Sequence, residues 1–98
     1  MEISDPTLLH SYCTENLNPL LEYDKAHNSS LSDTLKTYFL ANCHVSKTAE
    51  KLYIHKNTLL YRMSIIKKGL DYDLTDSLVN LELFTSLLIL EFIEYRAA

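Results

Sequence analysis

A single glycine in ninety-eight residues, with only two prolines, denies this chain most of what a β-rich fold needs. Hairpins rely on residues that tolerate a left-handed backbone or a fixed φ, and a sandwich or barrel needs many hairpins. Leu, Lys, Glu and Ala recur instead in spaced patterns that suit helices. Apolar residues make up 47% of the chain, enough to hold most of its length in a fold, and 98 residues suit one small domain. The expectation is an all-α fold, a small helical domain of about five to six helices.

The helix starts are legible. Asp5-Pro6 and Asn18-Pro19 each pair a side-chain acceptor with a proline at the first helical position, where its missing N–H costs nothing. Ser30-Leu31-Ser32-Asp33 resembles a capping box, Ser46 can cap a fourth helix, and Thr75 or Asp76 can cap a last one. Six helices follow, at about 6–16, 19–27, 31–42, 46–53, 56–68 and 76–95. Leu31, Leu35, Tyr38 and Phe39 give the third an apolar stripe, and Gly69 is expected to end the fifth in a left-handed cap. The polar break at 26–30 divides the chain into a helical arm or lead-in, 1–30, and a domain, 31–98. A cap-like Asp5-Pro6 so near the first residue reads as a cut within a longer protein.

Charge is distributed unevenly. Residues 44–68 hold six of the nine Lys/Arg residues and one of the thirteen acids, a formal +5. The other seventy-three carry −9, for a total of −4. A positive helical hairpin on an acidic body suits a polyanion, and double-stranded DNA is the natural candidate.

The same stretch reads as a helix-turn-helix. Small Ala49 falls where two helices must approach closely, and Leu52 and Ile54 bracket the turn from inside. Leu59, Met63 and Ile66 recur at i, i+4 and i+7, one inward stripe on the second helix. Asn57, Leu60, Tyr61, Ser64 and Lys68 then face outward, flanked by Lys56, Thr58, Arg62 and Lys67. A recognition helix needs this arrangement, because its N-terminal residues touch base edges while its borders hold phosphates. A charged helical face alone would read as a solvated surface; the ordered sequence of small residue, Leu, turn, Ile and inward stripe sets this one apart. Tyr53 stands where many such turns use glycine.

Roles follow from chemistry. Asn57 can pair bidentately with adenine or donate to a phosphate, and Lys56 can reach a guanine edge or a phosphate. Arg62 and Lys47 are expected to grip backbone. Ser46 and Thr48 can donate to a phosphate near the positive end of a helix dipole. Tyr61 suits backbone or base, and His55, Thr58, Lys67 and Lys68 complete the expected DNA-binding set.

Asn57-Thr58-Leu59-Leu60-Tyr61-Arg62, preceded by Val45-Ser46-Lys47-Thr48-Ala49 and Leu52-Tyr53-Ile54-His55-Lys56, resembles the C-terminal helix-turn-helix of PucR-type bacterial regulators, which include purine-catabolism and sugar-diacid regulators. The resemblance covers roughly 17–93. It takes in Leu20-Leu21-Glu22-Tyr23-Asp24 and Leu31-Ser32-Asp33-Thr34-Leu35 as lead-in, and Gly69-Leu70-Asp71 through Leu83 as the closing helix. It implies major-groove binding by a module of a cytoplasmic transcription factor, with a sensor region N-terminal to it. Where many members carry a second basic residue, this chain has Leu60, which removes one expected contact or changes the bases preferred. The competing reading is a helical interaction or dimerisation module without DNA affinity, which has no need to confine six bases to 47–68.

Between Leu78 and Ile93 the last helix is apolar on more than one face. It is either a central core helix, or one that packs one stripe on the core and offers another to a homodimer through 76–95 or to the sensor region. Asn80, Glu82 and Glu91 interrupt it, so it is no membrane span, and the N-terminus lacks the pattern of a secretory signal. Cys13 and Cys43 make no disulfide framework, and a reduced cytoplasmic setting fits. His10 with Cys13, Cys43 with His44, and Asp71, Asp73 and Asp76 match no zinc or calcium spacing. With one glycine there is no phosphate-cradling loop. We expect no cofactor, no metal and no catalytic residue.

Overall fold

The computed structural model describes residues 6–97; Asp5, expected as the first cap, lies outside them. Within that span the chain forms α1 (Pro6–His27), α2 (Leu31–Leu40), α3 (Val45–Leu52), α4 (Lys56–Ser64), a π-helical turn (Ile65–Gly69) that continues α4, and α5 (Ser77–Ala97). The described residues are all-α, as expected.

Two expected helices are one. Helix α1 runs through Pro19 without interruption, although proline inside a helix costs about 3 kcal/mol. Cys13, Leu17 and Leu20 form a single stripe on both sides of the proline, each fully buried. Burying leucines stabilises by about 1.5–3 kcal/mol apiece, so keeping that stripe in phase outweighs the break. Pro19 and Glu15, whose carbonyl loses its partner, lie on the exposed side. The lead-in is therefore packed into the core rather than held away from it.

Helix α2 starts without its expected capping box. Ser30 makes no side-chain cap bond. Asp24 of α1 reaches across instead: its carboxylate accepts the Leu31 and Ser32 amides at 2.6 and 2.9 Å and the Ser29 and Ser32 hydroxyls at 2.7 and 2.9 Å. A carboxylate at a helix N-terminus satisfies orphan amides and meets the positive end of the dipole. Here it also ties the start of α2 to the last turn of α1.

The core is shared by every helix. Leu31, Leu35 and Phe39 of α2 meet the α1 stripe, Ala49 of α3, Leu59 and Met63 of α4, Ile66, and Leu83, Leu87 and Leu90 of α5. Phe39 lies against Phe84 with ring centroids 5.3 Å apart. Lys36 of α2 binds both carboxylate oxygens of Glu91 on α5, at 2.9 and 3.0 Å. Asn16 donates to buried Ser86 at 3.2 Å, and the Tyr72 hydroxyl donates to the Asn16 carbonyl at 3.1 Å, tying the connector before α5 onto α1. Burial pushes the Cys13 thiol and the Tyr72 hydroxyl above their ordinary pKa, so both stay protonated and inert in the core.

Gly69 does not end its helix in a left-handed cap. No glycine takes positive φ; Asp71, at φ 60°, is the left-handed residue past that helix. The Leu70 amide bonds to the Ile65 carbonyl at 2.9 Å, closing the π turn. A Cβ on Gly69 would meet Ile65 Cγ2 at 3.5 Å, an ordinary contact, so this turn does not require glycine. Asp76 caps α5 as expected, accepting the Leu78 amide at 2.9 Å.

Candidate nucleic-acid interface

Helices α3 and α4 form the expected hairpin, and its turn is a Schellman motif. The Ile54 amide bonds to the Ala49 carbonyl and the Tyr53 amide to the Glu50 carbonyl, at 3.1 and 3.2 Å. Tyr53 takes the left-handed position at φ 56°, ψ 41°, where glycine would be unstrained. Its side chain is 94% exposed and packs on little. Tyr53→Gly is therefore expected to stabilise the domain by about 1 kcal/mol, raising Tm by roughly 4–8 °C in a thermal melt. A fall in Tm would mean that the tyrosine ring holds the turn by contacts of its own.

The inward stripe of α4 is buried as read: Leu59 and Ile66 are fully enclosed and Met63 nearly so. Asn57, Leu60, Tyr61, Ser64 and Lys68 are exposed, as are Lys56, Thr58 and Lys67 on the flanks. Burial of one face leaves the other open by helical geometry alone.

Three expected site residues stand differently. Thr48 is fully buried, and its hydroxyl donates to the His44 carbonyl at 2.7 Å, so it has no donor left for a phosphate. Ser46 is exposed but does not cap α3, which begins at Val45 with His44 as N-cap. Arg62 is half-buried, and its Nη1 donates to Thr34 Oγ1 of α2 at 3.3 Å. Its guanidinium serves the junction between recognition helix and core, and only its remaining donors are open to a ligand.

Two histidines start the two helices in the same way. His44 Nδ1 accepts the Lys47 amide at 3.3 Å, and His55 Nδ1 accepts the Asn57 amide at 3.0 Å. An accepting Nδ1 leaves Nε2 as the ring's N–H donor, and both residues are exposed. Each cap thus carries one N–H donor beside a helix N-terminus, a combination suited to a phosphate oxygen. His44 was missed in the sequence because Ser46 is the stronger cap former and drew the expected cap two residues late and the helix start one residue late.

Electrostatics set this region apart. Among the described residues the ion pair is Lys36–Glu91, and none of Lys47, Lys51, Lys56, Arg62, Lys67 or Lys68 has a carboxylate partner. The first turns of α3 and α4 contain no acid, and instead hold Lys47 and Lys56. Cations there oppose the helix dipole and cost a few tenths of a kcal/mol or more each. Fold stability does not ask for them. The described residues contain no group of three or more His, Cys, Asp or Glu placed to hold a metal, and no helix long and apolar enough to cross a membrane.

Comparison with known proteins agrees with this geometry. The chain is 34% identical over 80 residues to the proline-responsive transcriptional activator PutR of Bacillus subtilis, covering 82% of this chain and 20% of that one. It is 34% identical over 68 residues to the purine catabolism regulatory protein of the same organism, covering 69% and 13%. An uncharacterized protein of Haemophilus influenzae is 41% identical over 83 residues, covering 82% and 23%. The chain thus spans less than a quarter of the length of these relatives. No solved structure matches it. The profile of the PucR C-terminal helix-turn-helix domain matches residues 31–89, from the start of α2 to well inside α5, and the chain belongs to that family.

Proposed function

We propose that this module binds double-stranded DNA in a sequence-dependent manner as part of a bacterial transcriptional regulator. The observation that carries the reading is the placement of unpaired cations, above all Lys47 and Lys56 in the first turns of the two hairpin helices. Those positions cost helix stability and gain from a phosphate. In this reading residues 31–98 are the DNA-binding domain and 1–30 its helical lead-in. Helix α4 enters the major groove, with Asn57 and Tyr61 toward base edges and Lys56 toward a base edge or a phosphate. Ser46, Lys47, His55, Thr58, Lys67, Lys68 and the free donors of Arg62 hold the backbone, and His44 joins them. The module has a binding role and no catalytic one, and it works in the cytoplasm beside the chromosome.

The names of the relatives, a proline-responsive transcriptional activator and a purine catabolism regulatory protein, support a role in transcription. We infer that the whole protein is a regulator of the sugar-diacid or purine-catabolism type, on its Asn57-to-Arg62 core, with the sensing region outside this module. Two copies would present two recognition helices about 34 Å apart to successive major grooves.

Fluorescence anisotropy against a randomised duplex pool, followed by selection of the bound fraction, tests the division of labour. Asn57→Ala is expected to cost about 1–3 kcal/mol on the selected site and to relax base preference, whereas Lys47→Ala weakens all duplexes alike. Equal losses on every duplex for both variants would remove Asn57 from base reading. No binding by the folded chain at low salt would favour a protein-interaction module.

A further inference from the structure

We propose that α5 carries a second, unpartnered seam through which two copies of this chain pair in parallel. The helix buries Leu83, Ser86, Leu87 and Leu90 against its own core, yet leaves Leu78 72%, Leu81 63%, Leu88 41%, Phe92 59% and Tyr95 80% exposed. With Thr85, also exposed, these residues recur at alternating steps of three and four over the whole length of the helix. That is the a/d spacing of a coiled-coil seam, sustained for two and a half heptads on the face turned away from the core. The stripe opens on the order of 500 Å² of apolar side chain to solvent, taking about 150–250 Å² for a whole aromatic and somewhat less for leucine.

The flanking residues identify the occupant. In a parallel, in-register pair, each g position meets the partner's e position five residues further on. Here Phe84 meets Ile89 and Glu91 meets Arg96, so apolar faces apolar and acid faces base, while Ser77 sets a hydroxyl against Glu82. An antiparallel pairing centred on the same stripe sets Glu82 against Ile89 and Phe84 against Glu91. Phe84 and Ile89 are half-buried with an edge open, and Glu91 keeps its side chain 58% exposed while holding Lys36. Arg96 lies over its own Phe92 ring at 5.7 Å, poised at the rim of the seam. A second copy presents the matching spacing and matching charges by symmetry. Together the stripe and its flanks approach the roughly 600–800 Å² per partner of a specific interface. Thr85, the polar residue at a central a position, would hold the register.

Pairing is measured without DNA, so its failure and the failure of the DNA reading are separate results; only its consequence for operator symmetry rests on that reading. Sedimentation equilibrium of the 98-residue chain, from micromolar to submillimolar concentration, is expected to show a monomer–dimer equilibrium. Leu81→Glu, on an exposed position, should weaken the dimer about thirtyfold or more while leaving the helical circular dichroism unchanged. Leu78→Cys in a Cys43→Ser background should oxidise to a covalent dimer, because parallel pairing sets the seam's first residue opposite its own copy. A folded chain that stays monomeric throughout overturns the proposal, and so does a dimer indifferent to Leu81→Glu. A dimer in which Leu78→Cys does not cross-link overturns the parallel arrangement.

Discussion

Lys47→Glu combined with Lys56→Glu is expected to abolish measurable binding to duplex DNA at moderate salt while leaving the fold intact. Each replacement exchanges an attraction to phosphate for a repulsion, and the two residues head the two helices of the hairpin. Losing the phosphate contact of Lys47, and a second where Lys56 also holds a phosphate, should flatten the dependence of log affinity on log salt by about one to two units. The accompanying repulsion should cost at least about a hundredfold in affinity at moderate ionic strength. Stability should hold or rise slightly, because a glutamate in the first turn favours the helix dipole that the lysine opposed. The paired outcome separates function from folding: binding disappears as Tm stays level or climbs. Arg62 is the wrong residue for this test, since its bond to Thr34 ties α4 to α2 and its loss would disturb both. Retained binding with an unchanged salt slope would move the DNA surface away from the start of the hairpin.

Asp24→Ala is expected to destabilise the domain by about 2–3 kcal/mol, lowering Tm by roughly 10–20 °C in a thermal melt. One carboxylate satisfies two orphan amides and two hydroxyls between α1 and α2, all part-buried. Truncation leaves those donors without a partner, which costs more than a bond to water would have. Asp24→Asn should recover part of the loss, since a side-chain amide oxygen can serve one amide but not all four donors. Ser30→Ala should cost little, because Ser30 makes no side-chain cap bond. A larger loss for Ser30→Ala than for Asp24→Ala would return the cap to the capping box.

What could be read from the sequence was whatever periodicity alone dictates. The stripe Leu59, Met63 and Ile66 names the buried face of α4, and helical geometry then names the open one. The same holds for Leu31, Leu35 and Phe39 on α2, and for Asp76, whose cap to α5 spans two residues of chain. These are local relations, decided within one or two turns. The scarcity of glycine and the concentration of bases in 44–68 likewise belong to the sequence alone, and together they indicated helices and a polyanion surface.

Tertiary structure decided the rest, wherever a distant group outcompeted the local one. Asn18-Pro19 is a sound helix start, yet burial of Leu17 and Leu20 on a common face carried α1 through it. Ser30 is a sound cap, yet Asp24 of another helix took its place. Ser46 is a stronger cap former than His44, yet the packing that buries Thr48 and Ala49 set the start of α3 at Val45 and left the histidine to close it. Gly69 is the residue best suited to a left-handed turn, yet continuing the helix as a π turn moved that turn to Asp71. Local propensities differ by a kcal/mol or less, whereas one buried leucine or one charged cap is worth two or three. Sequence therefore determined which faces are apolar and where charge collects. Packing between helices determined where each helix begins, which cap holds it, and which of the expected donors remain free to meet DNA.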